Sequence, residues 1–458
     1  MMSLAEAAGA IGARLADGDG AARFGGVCTD TRSLREGELF VAIRGERFDG
    51  HDFIATAQAR GAAAALVDEN HGGDASLPLL VADDARRALG RLARHWRLRF
   101  TPAVIAITGS NGKTTTKEML ASILRCQAGE AGTLATRGNL NTDIGVPLTL
   151  LGMRAGHRYC AIELGMNHPG EIALLADIAR PTVALVNNAQ REHLEFMQSV
   201  EAVAAENASV FEALPDEGIA VLNADDAMAG VFRAKAGGRR RIEFGIESGS
   251  VTGRYVLKPL ESEIRLTTPS GDARATLAIP GMHNVRNALA AAACAHAVGI
   301  GVDEIAAGLN AFRPVRGRLA QLACASGATL IDDSYNANPD SVRAAIDALV
   351  AQPAPRILVL GDMAEVGERG PEFHREVGEY AALRGVNHLL LLGDASRETA
   401  AAFGARAEHF DDAAALAARA LELARPPATV LVKGSRFMRM ERVVAALVRR
   451  ADAAVGAH

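Results

Sequence analysis

The sequence predicts an α/β protein of three domains, and three observations lead there. Apolar, β-branched runs ending in Gly, Asp or Ser alternate with helix-forming segments through most of the chain, which is the pattern of a largely parallel sheet. The alternation restarts after Pro314, so it fills two separate sections. The length of 458 residues corresponds to about three domains of ordinary size, and 46 glycines with 4% aromatics suit an Ala/Gly-rich α/β composition.

Residues 1–100 read as a smaller α/β domain. It holds a helix over Ser3 to Leu15, strands over Gly26 to Asp30 and Glu38 to Ala42, a helix over Ile54 to Arg60, a strand over Ala64 to Val67 and a helix over Ala85 to Arg99. Pro102 breaks the chain. The second domain, 101–313, has strands beginning at Ala103 and spanning Tyr159 to Glu163, Val183 to Val186 and Gly218 to Leu222. Its segment from His283 to Ile300 is a helix whose Ala-rich body is most simply core packing. The third domain, 314–458, repeats strand-then-helix with TLIDDS, RILVLGDM, HLLLLGDAS and TVLVKGS. Ligands of open α/β sheets bind at the carboxyl ends of the strands, so two such domains facing each other enclose a cleft. The segment Phe312 to Arg318 is the expected hinge.

Composition narrows the function. Hydrophobic content of 49% and charge of 22% are ordinary for a soluble enzyme, and a net charge of -5 argues against a nucleic-acid binder, which needs a basic excess to replace phosphate counterions. Five cysteines without CxxC pairing read as buried thiols of a reducing compartment. The first residues lack a basic, then apolar, signal pattern, and no stretch is apolar enough to insert stably in a membrane. The expectation is a cytoplasmic protein.

The segment AVIAITGSNGKTTTKEML, Ala103 to Leu120, carries the first specific chemistry. A strand ends in Gly109, Ser110, Asn111 and Gly112, and a helix starts at Lys113, Thr114 and Thr115. Backbone N–H groups, a helix dipole and the lysine then converge on one anion, a nucleoside triphosphate. Lys113 suits the β- and γ-phosphates and Thr114 offers a hydroxyl to Mg²⁺. The loop is shortened, because only Ser110 and Asn111 separate its two glycines. Glu163 ends an apolar strand, where a carboxylate completes a Mg²⁺ shell begun by Thr114. His193 follows another strand and could reach the same crevice, although a lone histidine in that place is more often structural. In the 283–300 helix only the polar start, with Asn284 and Asn287, suggests ligand contact.

The series GSNGKTTTKEM, GNLNTDIGVPLTLL, IELGMNHPGEI, NNAQREHLE, GMHNVRNALAAAA, VRGRL, DDSYNANPDS, GDMAEVG and LVKGS resembles the Mur ligases over nearly the whole chain. DDSYNANP with GDMAEVG points within that family to the members that add a dipeptide. The resemblance implies a central P-loop ATPase domain with a mostly parallel sheet, a C-terminal Rossmann-like domain for the incoming D-alanyl-D-alanine, and an N-terminal domain for UDP-N-acetylmuramoyl-tripeptide. The implied activity is ATP- and Mg²⁺-dependent amide ligation in peptidoglycan precursor synthesis; a monomer is expected, although the sequence itself does not fix the oligomeric state.

Residue by residue, the resemblance implies phosphate binding at Lys113, metal binding at Thr114, Glu163 and His193, and nucleotide contacts at Asn287, Arg318 and Asp333. It implies UDP-sugar binding at Asp30, Thr31 and Arg32, with Thr31 where the motif usually has Ser. Asn139 and Asn141 match the motif lining the peptide and γ-phosphate, and Tyr335, Asn336 and Asn338 fall in the loop expected to hold the dipeptide.

The chain departs from the family at one place. Fourteen residues after His193, where members generally carry a carbamylated lysine that helps hold a second Mg²⁺, it has Asn207. A neutral, shorter amide does not replace that carboxylate, so the second metal falls to His193, substrate oxygens, water or Glu206. Two rival readings remain at this stage: another Mur-type or folylpolyglutamate-type ligase, and a non-catalytic sensor of nucleotide-sugar.

Overall fold

Strand-forming runs become strands wherever the sequence pattern was strongest, and three large sheets follow one another along the chain. The structure is a computed structural model and describes residues 1–70 and 77–448; the end of the third section lies outside the described residues. The first sheet has the order Arg14–Ala16, Leu79–Ala82, Ala64–Asp68, Leu39–Val41, Val27–Cys28, parallel except for its first strand.

The second sheet is six-stranded and wholly parallel, in the order Arg240–Phe244, Ile219–Asn223, Val183–Val186, Ala103–Thr108, Tyr159–Glu163, Thr133–Ala135. Ala103–Thr108 is central and buried almost throughout, as strands covered on both faces must be. The third large sheet runs Ala320–Ala323, Thr329–Asp333, Thr429–Lys433, Arg356–Gly361, His388–Leu392, Ala407–Phe410, and only its first strand is antiparallel.

Packing ties the sections together. The helix Ala85–Arg97 buries Leu89, Leu92 and Trp96 in one continuous core with Val146, Leu150 and Ile178, and Trp96 donates its indole N–H to the Met153 carbonyl at 3.0 Å. On the opposite face of the central sheet, the helix Met282–Ala297 is buried along nearly its whole length, so its Ala-rich body is core packing as expected.

Several elements differ from expectation. The helix expected over Ser3 to Leu15 stops at Ile11, because Gly12 takes a left-handed backbone (φ +69°) and Arg14–Ala16 becomes an edge strand. The strand Leu79–Ala82 was not foreseen. Neither was a separate antiparallel meander of Thr252–Leu257, Ser262–Thr268 and Gly271–Leu277. Of the cysteines, Cys160, Cys294 and Cys324 are buried, but Cys28 is half-buried and Cys126 is exposed, so burial does not describe all five.

Candidate active site

The central strand Ala103–Thr108 delivers the chain to Gly109, and the helix Lys113–Ala128 departs from Gly112. Both glycines have left-handed backbone, φ +131° and +80°, and a Cβ on Gly112 would collide with the Asn287 side chain. Glycine is required there by conformation and by close approach together.

On the first helical turn, Thr114 Oγ1 donates to Glu163 Oε1 at 3.2 Å, and Asn141 Nδ2 donates to the same oxygen at 2.8 Å. Arg318 Nη2 reaches Thr114 Oγ1 at 3.2 Å from the third domain. Glu163 is 2% exposed, yet its other oxygen, Oε2, has no hydrogen-bond partner. A buried carboxylate oxygen without a donor is unfavourable. A hard divalent cation shared with the Thr114 hydroxyl satisfies it, so this pair fits such an ion. Among the described residues no group of three or more His, Cys, Asp or Glu side chains is gathered as a ready-made metal site.

Lys113 is engaged within the protein. Its Nζ donates to the carbonyls of Gly109 (2.5 Å) and Ser110 (3.0 Å) and lies 3.3 Å from Glu192 Oε1. Burial works against the Glu192 carboxylate, but Lys113 and His193 hold its pKa below the usual value. His193 has a left-handed backbone (φ +52°), with Nε2 3.5 Å from Glu192 Oε1 and Nδ1 2.5 Å from Glu365 Oε2. Burial disfavours its charged form, yet the Glu192 and Glu365 carboxylates outweigh that and raise it to about 9. His193 therefore faces these carboxylates, and among the described residues no hydrogen bond or ion pair joins it to Thr114 or Glu163.

These groups line a cavity of about 910 Å³ that also takes Glu46 and Arg86 from the first domain, and Asp333, Tyr335, Asn336 and Asn338 from the third. Asn139 and Asn141 sit on its wall. An adjoining cavity of about 430 Å³ is lined by Thr115, Asn287, Arg318 and Asp333. Asn287, Arg318 and Asp333, expected to contact the nucleotide, thus share one recess beside the 109–112 loop. Asp333 Oδ2 accepts from Lys433 Nζ at 2.6 Å, and Arg318 stacks over the Tyr335 ring at 4.1 Å. Asn338 caps the helix Pro339–Val350 and donates to Asn111 Oδ1 at 2.9 Å, so both ends of its amide are already used.

Two sets of residues lie outside this cleft. Asp30, Thr31 and Arg32 line neither cavity. The Arg32 side chain is 88% exposed and pairs with Asp30, whose carboxyl it holds down to about 2. Asn207 is buried: Thr108 Oγ1 donates to its Oδ1 at 2.6 Å, and its Nδ2 donates to the Val203 carbonyl at 3.0 Å. Glu206 accepts the N–H groups of Gly170 and Ile172, both at 2.9 Å, at the start of the helix Glu171–Ala179. That employment takes Glu206 away from any metal.

Sequence reading missed Arg191, Glu192 and Lys433. The segment 190–193 alternates its contacts: Gln190 binds Asn111 of the phosphate loop, Arg191 binds Asp340 and Glu376 of the third domain, Glu192 meets Lys113 and His193 meets Glu365. Period-two alternation is what an extended segment between two bodies produces. Side-chain hydrogen bonding from Arg191, and then from Arg343, holds Glu376 down to about 2. Because this pKa is depressed in the fold, the clasp contributes fully above the unfolded value of about 4.3 and is lost as pH falls towards 2. Glu376→Gln is expected to flatten the stability profile in that acid window, read by thermal melting between pH 5 and 3; an unchanged profile would show that the clasp contributes nothing.

Family models of the Mur ligases match three stretches: the Mur ligase middle domain over residues 107–295, the Mur ligase glutamate ligase domain over 317–436, and the Mur ligase family catalytic domain over 23–97. The UDP-N-acetylmuramoyl-tripeptide--D-alanyl-D-alanine ligase of Escherichia coli K12 is 44% identical over 427 residues, 92% of this chain and 93% of that one. The same ligase of Bacillus subtilis is 32% identical over 92% of this chain and 93% of its own length. A crystal structure of MurF from Acinetobacter baumannii superposes with a TM-score of 0.89 at 34% identity, covering 97% of this chain and 98% of that one. The MurF ligase of Thermotoga maritima, solved in complex with ADP, gives 0.81 at 28% identity over 93% and 97%.

Proposed function

The chain belongs to the Mur ligase family, and we propose that its reaction takes place in the cleft where the three domains meet, with Lys113 on the β- and γ-phosphates and Thr114 and Glu163 on Mg²⁺. It is an ATP-dependent, ADP-forming ligase that joins D-alanyl-D-alanine to UDP-N-acetylmuramoyl-tripeptide in peptidoglycan precursor synthesis. The observation that carries the placement is a single cavity lined by Arg86 from the first domain, Lys113 and Glu163 from the second, and Asp333 and Asn336 from the third.

Each domain then has one task. Residues 1–100 hold the UDP-sugar peptide through Asp30, Thr31 and Arg32. Residues 101–313 hold ATP through 109–115 and Asn287, with Arg318 and Asp333 closing on it from the third domain. Residues 314–458 hold the dipeptide through Tyr335 and Asn336, with Asn338 tying their loop to Asn111, and Asn139 and Asn141 line the path of the peptide.

The chemistry follows from the charges. A peptide carboxylate is a poor acyl donor, so transfer of the γ-phosphoryl group makes it an acyl phosphate with ADP leaving. The dipeptide amine then attacks the acyl carbon and expels phosphate. Two anions must approach in the first step. Lys113 and Arg318 offset that repulsion and stabilise charge on the moving phosphoryl group. Mg²⁺, when bound, supplies further neutralisation of the phosphate oxygens. Closure of the third domain through Arg191 aligns the amine and keeps water from the acyl phosphate.

We also place the reaction in the cytoplasm, where ATP and UDP-sugars are made, and in a monomer, because one chain brings all three domains to the cavity. No helix among the described residues is long and apolar enough to cross a membrane.

Phosphate release should require ATP, UDP-muramoyl-tripeptide and D-Ala-D-Ala together. Tight binding of the nucleotides with no release under any combination would instead favour a non-catalytic sensor. Arg32→Ala should raise KM for the UDP-muramoyl peptide while KM for ATP stays close to wild type, since a guanidinium suits a diphosphate and lies on another domain from the loop. Equal weakening of both substrates in steady-state kinetics would show that the first domain's role is misplaced.

A further inference from the structure

Glu192 is a buried carboxylate to which the chemistry above gives no task. It is 8% exposed and lines the same cavity as Thr114 and Glu163. Its neighbours are cationic: Lys113 Nζ lies 3.3 and 3.5 Å from its two oxygens, and His193 Nε2 lies 3.5 Å away. Lys113 is also the group that a bound triphosphate draws towards its own oxygens. One ammonium cannot neutralise both at full strength, and a carboxylate this buried is costly without a cation. The conflict therefore arises only when nucleotide binds.

We propose that Glu192 is a ligand for a divalent cation that enters with the nucleotide, taking over the charge that Lys113 neutralises in its absence, with His193 at its side. This rests on the reading of the 109–115 loop as a triphosphate site. Glu163, whose buried Oε2 is unpartnered, lines the same cavity and shows separately from Glu192 that cations belong there. Other groups nearby are unsuited. Asn207 has both ends of its amide bonded to Thr108 and Val203, and Glu206 caps the helix Glu171–Ala179. Glu365 also touches His193, but its side chain is 42% exposed and stays solvated without a metal.

The test counts cations directly. The full chain is saturated with a non-hydrolysable ATP analogue, and Mn²⁺ binding is followed by the loss of the free-ion EPR signal. The wild-type complex is expected to take up two Mn²⁺ ions. Glu192→Gln should keep one at wild-type affinity and bind the other about tenfold or more weakly, and Glu192→Asp should fall between. Thr114→Val should lose the opposite ion and keep the one at Glu192. Wild-type binding of both ions by Glu192→Gln, or uptake of a single ion by the wild type, would overturn the proposal. Failure of the wild-type chain to bind the analogue at all would instead overturn the nucleotide reading beneath it.

Discussion

Lys113→Ala should abolish ligation while the UDP-muramoyl peptide still binds. The lysine is the one ammonium on the phosphate loop lining the cleft, and it stands on the first turn of the helix Lys113–Ala128, where the dipole also favours anions. Removing one charge-assisted phosphate contact from a closed site costs on the order of 3 kcal/mol or more of transition-state stabilisation, a loss of more than about a hundredfold in turnover. Among the described residues no hydrogen bond or ion pair joins Lys113 to the first domain, where the UDP-sugar is proposed to sit. Calorimetric binding of the UDP substrate should therefore match wild type while coupled ADP release falls to background. Turnover above a tenth of the wild-type value would remove Lys113 from the chemistry.

The variant also leaves Glu192 without its ammonium, so part of the effect could reach the fold. Lys113→Arg separates the two contributions. It keeps a cation beside Glu192 but replaces a compact charge with a planar fork that does not fit a loop shortened to Ser110 and Asn111. Wild-type stability with strongly reduced turnover is the expected result in that variant, read by thermal melting and ADP release.

What the sequence made legible was what short-range rules govern. The strands Tyr159–Glu163 and Val183–Val186 lie where their apolar runs place them, and Gly109 and Gly112 have the backbone that the loop requires. The meander was missed although Ser262–Thr268 alternates buried and exposed residues along its whole length, because a parallel-sheet reading had already claimed that region. Gly12 was the stop signal for the first helix and was passed over. The site divides in the same way. The meeting of Thr114 with Glu163 was readable from strand and helix ends, whereas the contacts of Arg191 and Glu192 depend on a third domain and a lysine far away in sequence. Asn207 was recognised as a departure, but only its burial against Thr108 shows that the position has become part of the packing beneath the loop.

Lys433 had a visible signal, a lone charge closing the otherwise uncharged, buried strand Thr429–Lys433, and its replacement should give the largest loss of stability in the third domain. Its Nζ is 2.6 Å from Asp333 Oδ2 and 2.8 Å from the Asn336 carbonyl, and the two side chains are 4% and 12% exposed. Breaking a buried pair by removing one partner leaves an uncompensated charge and costs about 3–5 kcal/mol, much more than the pair itself is worth. Lys433→Met is expected to destabilise by that amount in denaturant unfolding. It should also loosen the loop from Tyr335 to Asn338, raising KM for the dipeptide. The double variant Asp333→Leu with Lys433→Met removes both charges and should recover much of the stability, while nucleotide binding stays impaired because Asp333 is gone. A single-variant cost below about 1 kcal/mol, or a double variant no more stable than Lys433→Met, would show that Asp333 is solvated in the working enzyme and that this pair does not hold the strand ends together.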